Sequence, residues 1–205
     1  PLPNNVFTYT AEVTTHQIIT KGNQRVAVTG FSYDSKWIFE RKIEEYPTRQ
    51  SNVDLQIGML HGSLDRLETT EATYAPFTIN ELQSKQYDYW ALGHIHKRQQ
   101  ISANPLAIYP GNIQGLHKNE TGPKGAMLVK WSPREITTEF FKTAPVVWQN
   151  IKVDISGIER LSELLKTVQG EMKANEQSED VLIHLKLEAT EDIDEGLVST
   201  IQSLE

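Results

Sequence analysis

Two strand-like runs in this chain each end in histidine and glycine. Val53 to Leu60 alternates around Leu55, Ile57 and Met59 as a strand does, then stops at His61 and Gly62. Tyr87 to Leu92 is an aromatic-rich run that passes directly into Gly93-His94-Ile95-His96. Open sheets of α/β proteins build their sites where strands end, so the pattern predicts such a sheet with polar chemistry gathered at one end of its strands. Residues two apart in a strand share a face, which puts His94 and His96 toward one cleft and Ile95 toward the core. Imidazole is the commonest neutral metal ligand, and glycines at 62 and 93 let the backbone turn sharply beside it. By itself a His-x-His pair is equally a polar strand face. Only its surroundings favour a metal.

Those surroundings divide into two parts. Val6 to Tyr9 and Arg25 to Thr29 read as strands, the second closed by Gly30. Trp37, Ile38, Ile43 and Tyr46 then outline one apolar side of a helix that Pro47 ends. Thr78-Ile79-Asn80-Glu81 has the form of a capping box, which starts a short helix with Leu82 inward. From 98 to about 148 the chain reads as short strands, among them Ala107 to Tyr109, Gly125 to Trp131 and Ile136 to Phe141. The character changes near Pro145. A strand over Val146 to Ile155 and a helix beginning at Ser156 to Glu159 come next, with Leu161, Leu164, Leu165, Val168 and Met172 on the helix's apolar face. A polar linker from Asn175 to Asp180, the alternating strand Val181 to Leu187 and a helix over Asp194 to Glu205 complete a βαβα unit. The boundaries follow: one domain over 1–145 and a second over 146–205.

Composition narrows the chemistry. None of the 205 residues is cysteine, so disulfides, thiolate zinc sites and cysteine nucleophiles are excluded, and a reducing cytoplasmic setting is expected. No apolar run approaches membrane length. The net charge of −7 is unevenly spread: residues 1–148 carry 15 Lys and Arg against 14 Asp and Glu, whereas residues 149–205 carry 5 against 13. The later carboxylates have no convergent partner and read as a solvated acidic face. Within 85–142 the balance reverses to 8 basic against 4 acidic, a stretch suited to a polyanion or to a solvated loop.

The ordered text Leu60-His61-Gly62-Ser63, Asp88-Tyr89-Trp90-Ala91-Leu92-Gly93-His94-Ile95-His96, Ile108-Tyr109-Pro110-Gly111-Asn112 and Lys124-Gly125 resembles the calcineurin-like metallophosphoesterases, and among them the bacterial SbcD type of DNA repair exonuclease. The resemblance covers residues 1–145 and, more loosely, the βαβα segment. It implies an α/β (α+β) fold: the C-terminal part of a β-sandwich flanked by helices, followed by the start of a capping domain. It also implies two divalent metals, Mn²⁺ in that family, with His61 and His94 on the second ion and His96 on the first. DNA as substrate and an SbcC-type ATPase as partner are the further implications.

The departures are as informative. The family's Asp-x-His, Gly-Asp-x-x-Asp and Gly-Asn-His-Asp/Glu motifs are missing from these 205 residues, and Gly22-Asn23-Gln24 and Gly111-Asn112-Ile113 share only the Gly-Asn start. Beginning at Pro1, the chain is expected to be a piece of a longer protein whose catalytic aspartates and histidine lie upstream. The expectation is therefore weak metal binding and little or no hydrolysis by the chain alone. Loss of strands from the middle of the family's sheet would expose edges, which makes a homodimer a further expectation. Lys97 and Arg98 leave the histidine loop toward a DNA backbone, with Asn112, His117, Lys118 and Lys124 as further candidates for substrate binding. Trp90, Trp131, Phe140 and Trp148 read as packing residues, and His16 and His184 as structural or solvated. Two rival functions use the same text: a phosphatase or cyclic nucleotide phosphodiesterase, and a non-catalytic assembly module in which the histidines are structural.

Overall fold

A computed structural model of the chain describes residues 2–3, 6–20, 22–65, 67, 72–175, 180–190 and 195–202. They form a mixed α/β structure of two compact units, Pro1–Asn112 with Gly125–Phe141 and Ile113–Lys124 with Lys142–Glu205. The second unit thus takes in the loop 113–124 together with the βαβα segment. No described helix is long and apolar enough to cross a membrane.

The first unit is built on six strands: β1 (Thr14–Ile19), β2 (Arg25–Gly30), β3 (Leu55–His61), β4 (Tyr89–Gly93), β5 (Gln99–Ala103) and β6 (Leu106–Tyr109). They lie in the order β1-β2-β3-β4-β6-β5, parallel from β2 through β6 and antiparallel at both edges. Strands β7 (Gly125–Trp131) and β8 (Ile136–Lys142) pair separately through a turn in which Ser132 and Glu135 exchange backbone hydrogen bonds. The short helix α1 (Ile79–Ser84) starts at the expected capping box, with the Thr78 hydroxyl accepting from the Glu81 amide and the Glu81 carboxylate accepting from the Thr78 amide. Leu82 on this helix is buried, as its position in the motif predicts.

Packing against the sheet centres on Trp90. Its indole is fully buried, stacked on Tyr87 with ring centroids 4.8 Å apart and tilted against Tyr46 at 5.3 Å. Across the parallel ladder Trp90 pairs with Gly58, and a Cβ at 58 would come within 2.3 Å of the indole ring. Glycine here is a matter of volume: the ring occupies the space that a side chain would need. A second restraint fixes α1. Arg41 donates from Nε to Glu81 Oε1 (2.8 Å), from Nη2 to Glu81 Oε2 and from Nη1 to Asp65 (2.9 Å), so one carboxylate both caps the helix and anchors a neighbouring loop. The guanidinium, helped by bonds from Thr78, holds the Glu81 carboxyl down at about 2.

In this unit two sequence expectations are corrected in shape. Val6 to Tyr9 is irregular rather than a strand; the Phe7 and Tyr9 rings pack on His16, and the Tyr9 hydroxyl donates to the Val28 carbonyl, so side chains hold it without a ladder. The helix expected around Trp37 to Tyr46 is only a 3-10 turn over Lys42–Glu45. Upstream, the Ser35 hydroxyl bonds the backbone of Trp37, and the Ile38 carbonyl accepts from Ala75, which spends on turn and tertiary contacts the groups a helix would use. Spacing of three still buries Ile43 and Tyr46 together, because side chains three apart eclipse in a 3-10 turn.

In the second unit β9 (Val146–Asp154) runs parallel to β10 (Asp180–Glu188), with α2 (Leu161–Ala174) between them in sequence and α3 (Glu195–Gln202) after. Ile151, Val153, Ile155, Ile158, Leu164 and Leu197 form its core. Helix α2 begins at Leu161, later than expected: Gly157 adopts a φ of +71° in a turn, and the Ser156 side chain bonds Asp154 and Thr190 instead of capping. Its buried face is correspondingly narrow, since Leu164 is buried while Leu161, Leu165 and Met172 are exposed. Glu176 to Glu179 of the expected linker, and Asp194 and Ser203 to Glu205 of the last expected helix, lie outside the described residues.

Two outcomes follow from this packing. Gly58→Ala should lower stability by about 1–3 kcal/mol, the usual cost of forcing an extra carbon into a filled core, with reversible urea denaturation as the readout. The depressed Glu81 carboxyl gives stability that is complete above its ordinary value of 4.5 and is lost as pH falls through about 2. Glu81→Gln should remove that acid-side loss, so the stability difference between wild type and variant should shrink as pH is lowered from 5 toward 2.

Candidate metal centre

Strands β3 and β4 run parallel in register, and the ladder places His61 opposite Gly93 at their C-terminal ends. The next residue, His94, therefore stands beside His61, with ring centroids 5.3 Å apart and planes inclined at 71°. Gly93 makes this neighbourhood possible, since a Cβ there would lie 2.8 Å from His61 Nδ1. Gly62 has a similar role against the backbone: a Cβ would meet the Ala75 carbonyl at 2.5 Å. Its amide donates to the Gly93 carbonyl and its own carbonyl accepts from the buried Tyr109 hydroxyl at 2.6 Å, which ties the end of β3 to both β4 and β6.

Tyr74 completes a small aromatic box. Its ring meets His61 edge-on at 5.4 Å and lies nearly parallel to His94 at 5.6 Å. Ser63 holds it from two sides, donating its amide to the Tyr74 carbonyl and accepting the Tyr74 amide at its hydroxyl. Burial first, then the neighbouring Tyr33 and Asp34, raise the Tyr74 hydroxyl above its usual pKa. Neither Tyr74 nor its contacts are signalled by any motif; only its place in an aromatic, proline-containing run between β3 and α1 distinguishes it.

The two imidazoles are prepared differently. His94 Nε2 lies 2.7 Å from the Ala72 carbonyl, and because a carbonyl only accepts, that nitrogen carries the proton and leaves the Nδ1 lone pair for another partner. A backbone carbonyl in this position is the usual orienting contact of a metal-binding histidine. His94 also adopts a φ of +98°, a region that L-residues rarely occupy. For His61, burial and then the nearby His94 and His96 push the imidazole pKa down, favouring the neutral form that a metal requires. Two imidazole nitrogens on adjacent strand ends suit a divalent cation of intermediate hardness. Among the described residues no group of three or more His, Asp or Glu side chains is set to hold a cation.

The remaining candidates are placed as follows. His96 and Lys97 are exposed on the segment between β4 and β5, and the Arg98 guanidinium lies over the Phe140 ring at 3.5 Å. Gly111, at a φ of +76°, packs against the backbone of His96 and Arg98, where a Cβ would come within 2.8 Å of the His96 carbonyl. Asn112 next to it is half-buried and accepts the Gly125 amide on its carbonyl. His117, Lys118 and Lys124 belong to the second unit. There His117 approaches Glu120 at 3.6 Å, Lys118 lies 3.2 Å from His184 Nε2, and Lys124 is buried. Of the four aromatics read as packing residues, Trp90 is buried and Trp131, Phe140 and Trp148 are half-buried.

No family model matches the sequence. The chain is 37% identical over 191 residues to a protein of Bacillus subtilis (strain 168) named uncharacterized metallophosphoesterase YhaO. The match takes in 92% of this chain and 46% of that relative, so the chain spans just under half the length of the protein it matches. Over 92% of its own length, then, the chain is similar to part of a protein that carries the name metallophosphoesterase.

Proposed function

We propose that this chain supplies the histidine half of a two-metal centre in a phosphoester hydrolase, and that the parent protein is a Mn²⁺-dependent DNA exonuclease or endonuclease acting in repair. The observation that carries the reading is the pairing of His61 and His94 at the ends of adjacent parallel strands, with the His94 tautomer set by the Ala72 carbonyl. Two divalent ions in such a centre activate water and stabilise charge on the attacked phosphorus. On this chain His61 and His94 hold one ion and His96 the other; carboxylate ligands come from elsewhere in the parent.

The chain's other contributions concern binding. Lys97 and Arg98, leaving the histidine segment, draw the phosphate backbone, the Arg98 guanidinium lying over the Phe140 ring. Asn112, on the turn that packs against the His96 and Arg98 backbone, borders the same path. His117 and Lys118 are exposed on the basic stretch 85–142, whose 8 basic against 4 acidic residues favour a polyanion over a small ester, whereas Lys124 is buried. An SbcC-type ATPase partner, a cytoplasmic setting and homodimer formation through sheet edges belong to the same proposal. Half a ligand set holds an ion weakly, so the 205-residue chain alone is inert.

The test compares the intact parent on duplex DNA and on a small phosphomonoester in the presence of Mn²⁺. DNA hydrolysis is expected, reduced at least tenfold to a hundredfold by His61→Ala or His94→Ala, roughly the penalty known for disturbing metal-site geometry. Activity confined to the small ester would sink the nuclease reading, and robust nucleotide release by the isolated chain would overturn its inertness. Gly93→Ala should displace the His61 ring and weaken Mn²⁺ binding to the parent by about tenfold or more, measured by calorimetric titration.

A further inference from the structure

The segment between β2 and the 3-10 turn carries an unusual division of its apolar residues. Its one aliphatic side chain, Ile38, is 5% exposed and packs with Tyr74 and Ala75. Three rings point the other way: Tyr33 is 66% exposed, Trp37 50% and Phe39 71%. The segment is fixed rather than loose, because Ala75 donates its amide to the Ile38 carbonyl at 2.7 Å and the Ser35 hydroxyl bonds both the amide and the carbonyl of Trp37. It is also next to the histidine pair, because Ile38 packs on Tyr74, and Tyr74 touches both His61 and His94.

We propose that Tyr33, Trp37 and Phe39 form a stacking platform for unpaired nucleobases of a DNA strand whose phosphates reach the histidine pair. This rests on the nuclease reading and adds to it the part of the substrate that is held. Exposed rings on a segment that carries no exposed aliphatic residue suit base faces, which stack on any aromatic regardless of sequence, better than a protein surface, which mixes aliphatic and aromatic contacts. Lys36, whose ammonium lies 5.2 Å from the centre of the Trp37 ring, puts a positive charge beside that ring, where a backbone phosphate follows each base. Asp34 and Glu40, both exposed, are the acidic residues of the same segment. The platform therefore favours single-stranded or frayed ends over closed duplex, whose base faces are already stacked.

The experiment measures binding of the 205-residue chain to two fluorescent oligonucleotides of equal length, one of mixed sequence and one abasic throughout. Both carry the same phosphates, so the difference reports base contact. The mixed oligonucleotide should bind at least about tenfold tighter than the abasic one, a factor within the range for stacking a single base. Tyr33→Ala/Trp37→Ala/Phe39→Ala should erase that preference without lowering the melting temperature, as exposed residues permit, and Trp37→Phe should retain it. His61→Ala/His94→Ala should also retain it. Equal binding of the two oligonucleotides by the wild-type chain would overturn the platform. So would a triple variant that keeps the preference but loses self-association in sedimentation, since the rings would then serve a second copy. If the preference is present but the intact parent cleaves no DNA, the nuclease reading fails while the platform stands.

Discussion

The whole first unit depends on two places where a glycine on one parallel strand makes room for a ring on its neighbour. Gly58 on β3 faces Trp90 on β4, and Gly93 on β4 faces His61 on β3. The first pairing seats the largest buried side chain at the middle of the sheet, and Tyr87 and Tyr46 close around it. The second brings two imidazoles together at the strand ends. A slip of one residue in this ladder would put side chains where both rings now lie and turn every alternating residue to the opposite face. Core packing and site geometry are thus secured by the same register.

Polar restraints finish what the ladder starts. At one end of the strands, Asp88 accepts the Gln56 amide and pairs with Arg49 at 3.1 Å, while the Gln56 side chain bonds Gln50 and Thr29. At the other end, the Tyr109 hydroxyl and the Gly93 carbonyl satisfy Gly62. Buried polar groups are costly when unmet, so each of these contacts also penalises alternative pairings. The second unit relies on a different balance. Its core is a single apolar layer over one face of a two-stranded parallel pair, covered by helices with few buried positions.

Much of this was legible in the sequence because it depends on short-range patterns. Alternation located β3 and β10, β-branched composition located β2, the capping box located α1, and the histidine motifs fell at the ends of β3 and β4. What the sequence obscured arises from contacts distant along the chain. The apolar spacing from Trp37 to Tyr46 fits a helix until Ala75 takes the Ile38 carbonyl. Val6 to Tyr9 has strand-forming residues, yet its rings are used on His16. Strand β1, the polar-looking Thr14–Ile19, escapes notice because only its pairing with β2 distinguishes it from a loop. Tyr74 is invisible for the same reason: its importance is entirely its position between two histidines.

The backbone of His94 has a consequence of its own. A side-chain-bearing residue at a φ of +98° stores conformational free energy, on the order of 1–3 kcal/mol at such positions. A glycine would sit there without that cost and would fold more comfortably. The sequence nonetheless keeps an imidazole, so at this position folding stability and the proposed ligand role pull in opposite directions. Mutational surveys scored on stability alone would rank the replacement of His94 by glycine as an improvement, and would thereby mark as expendable the residue on which the proposed chemistry most depends.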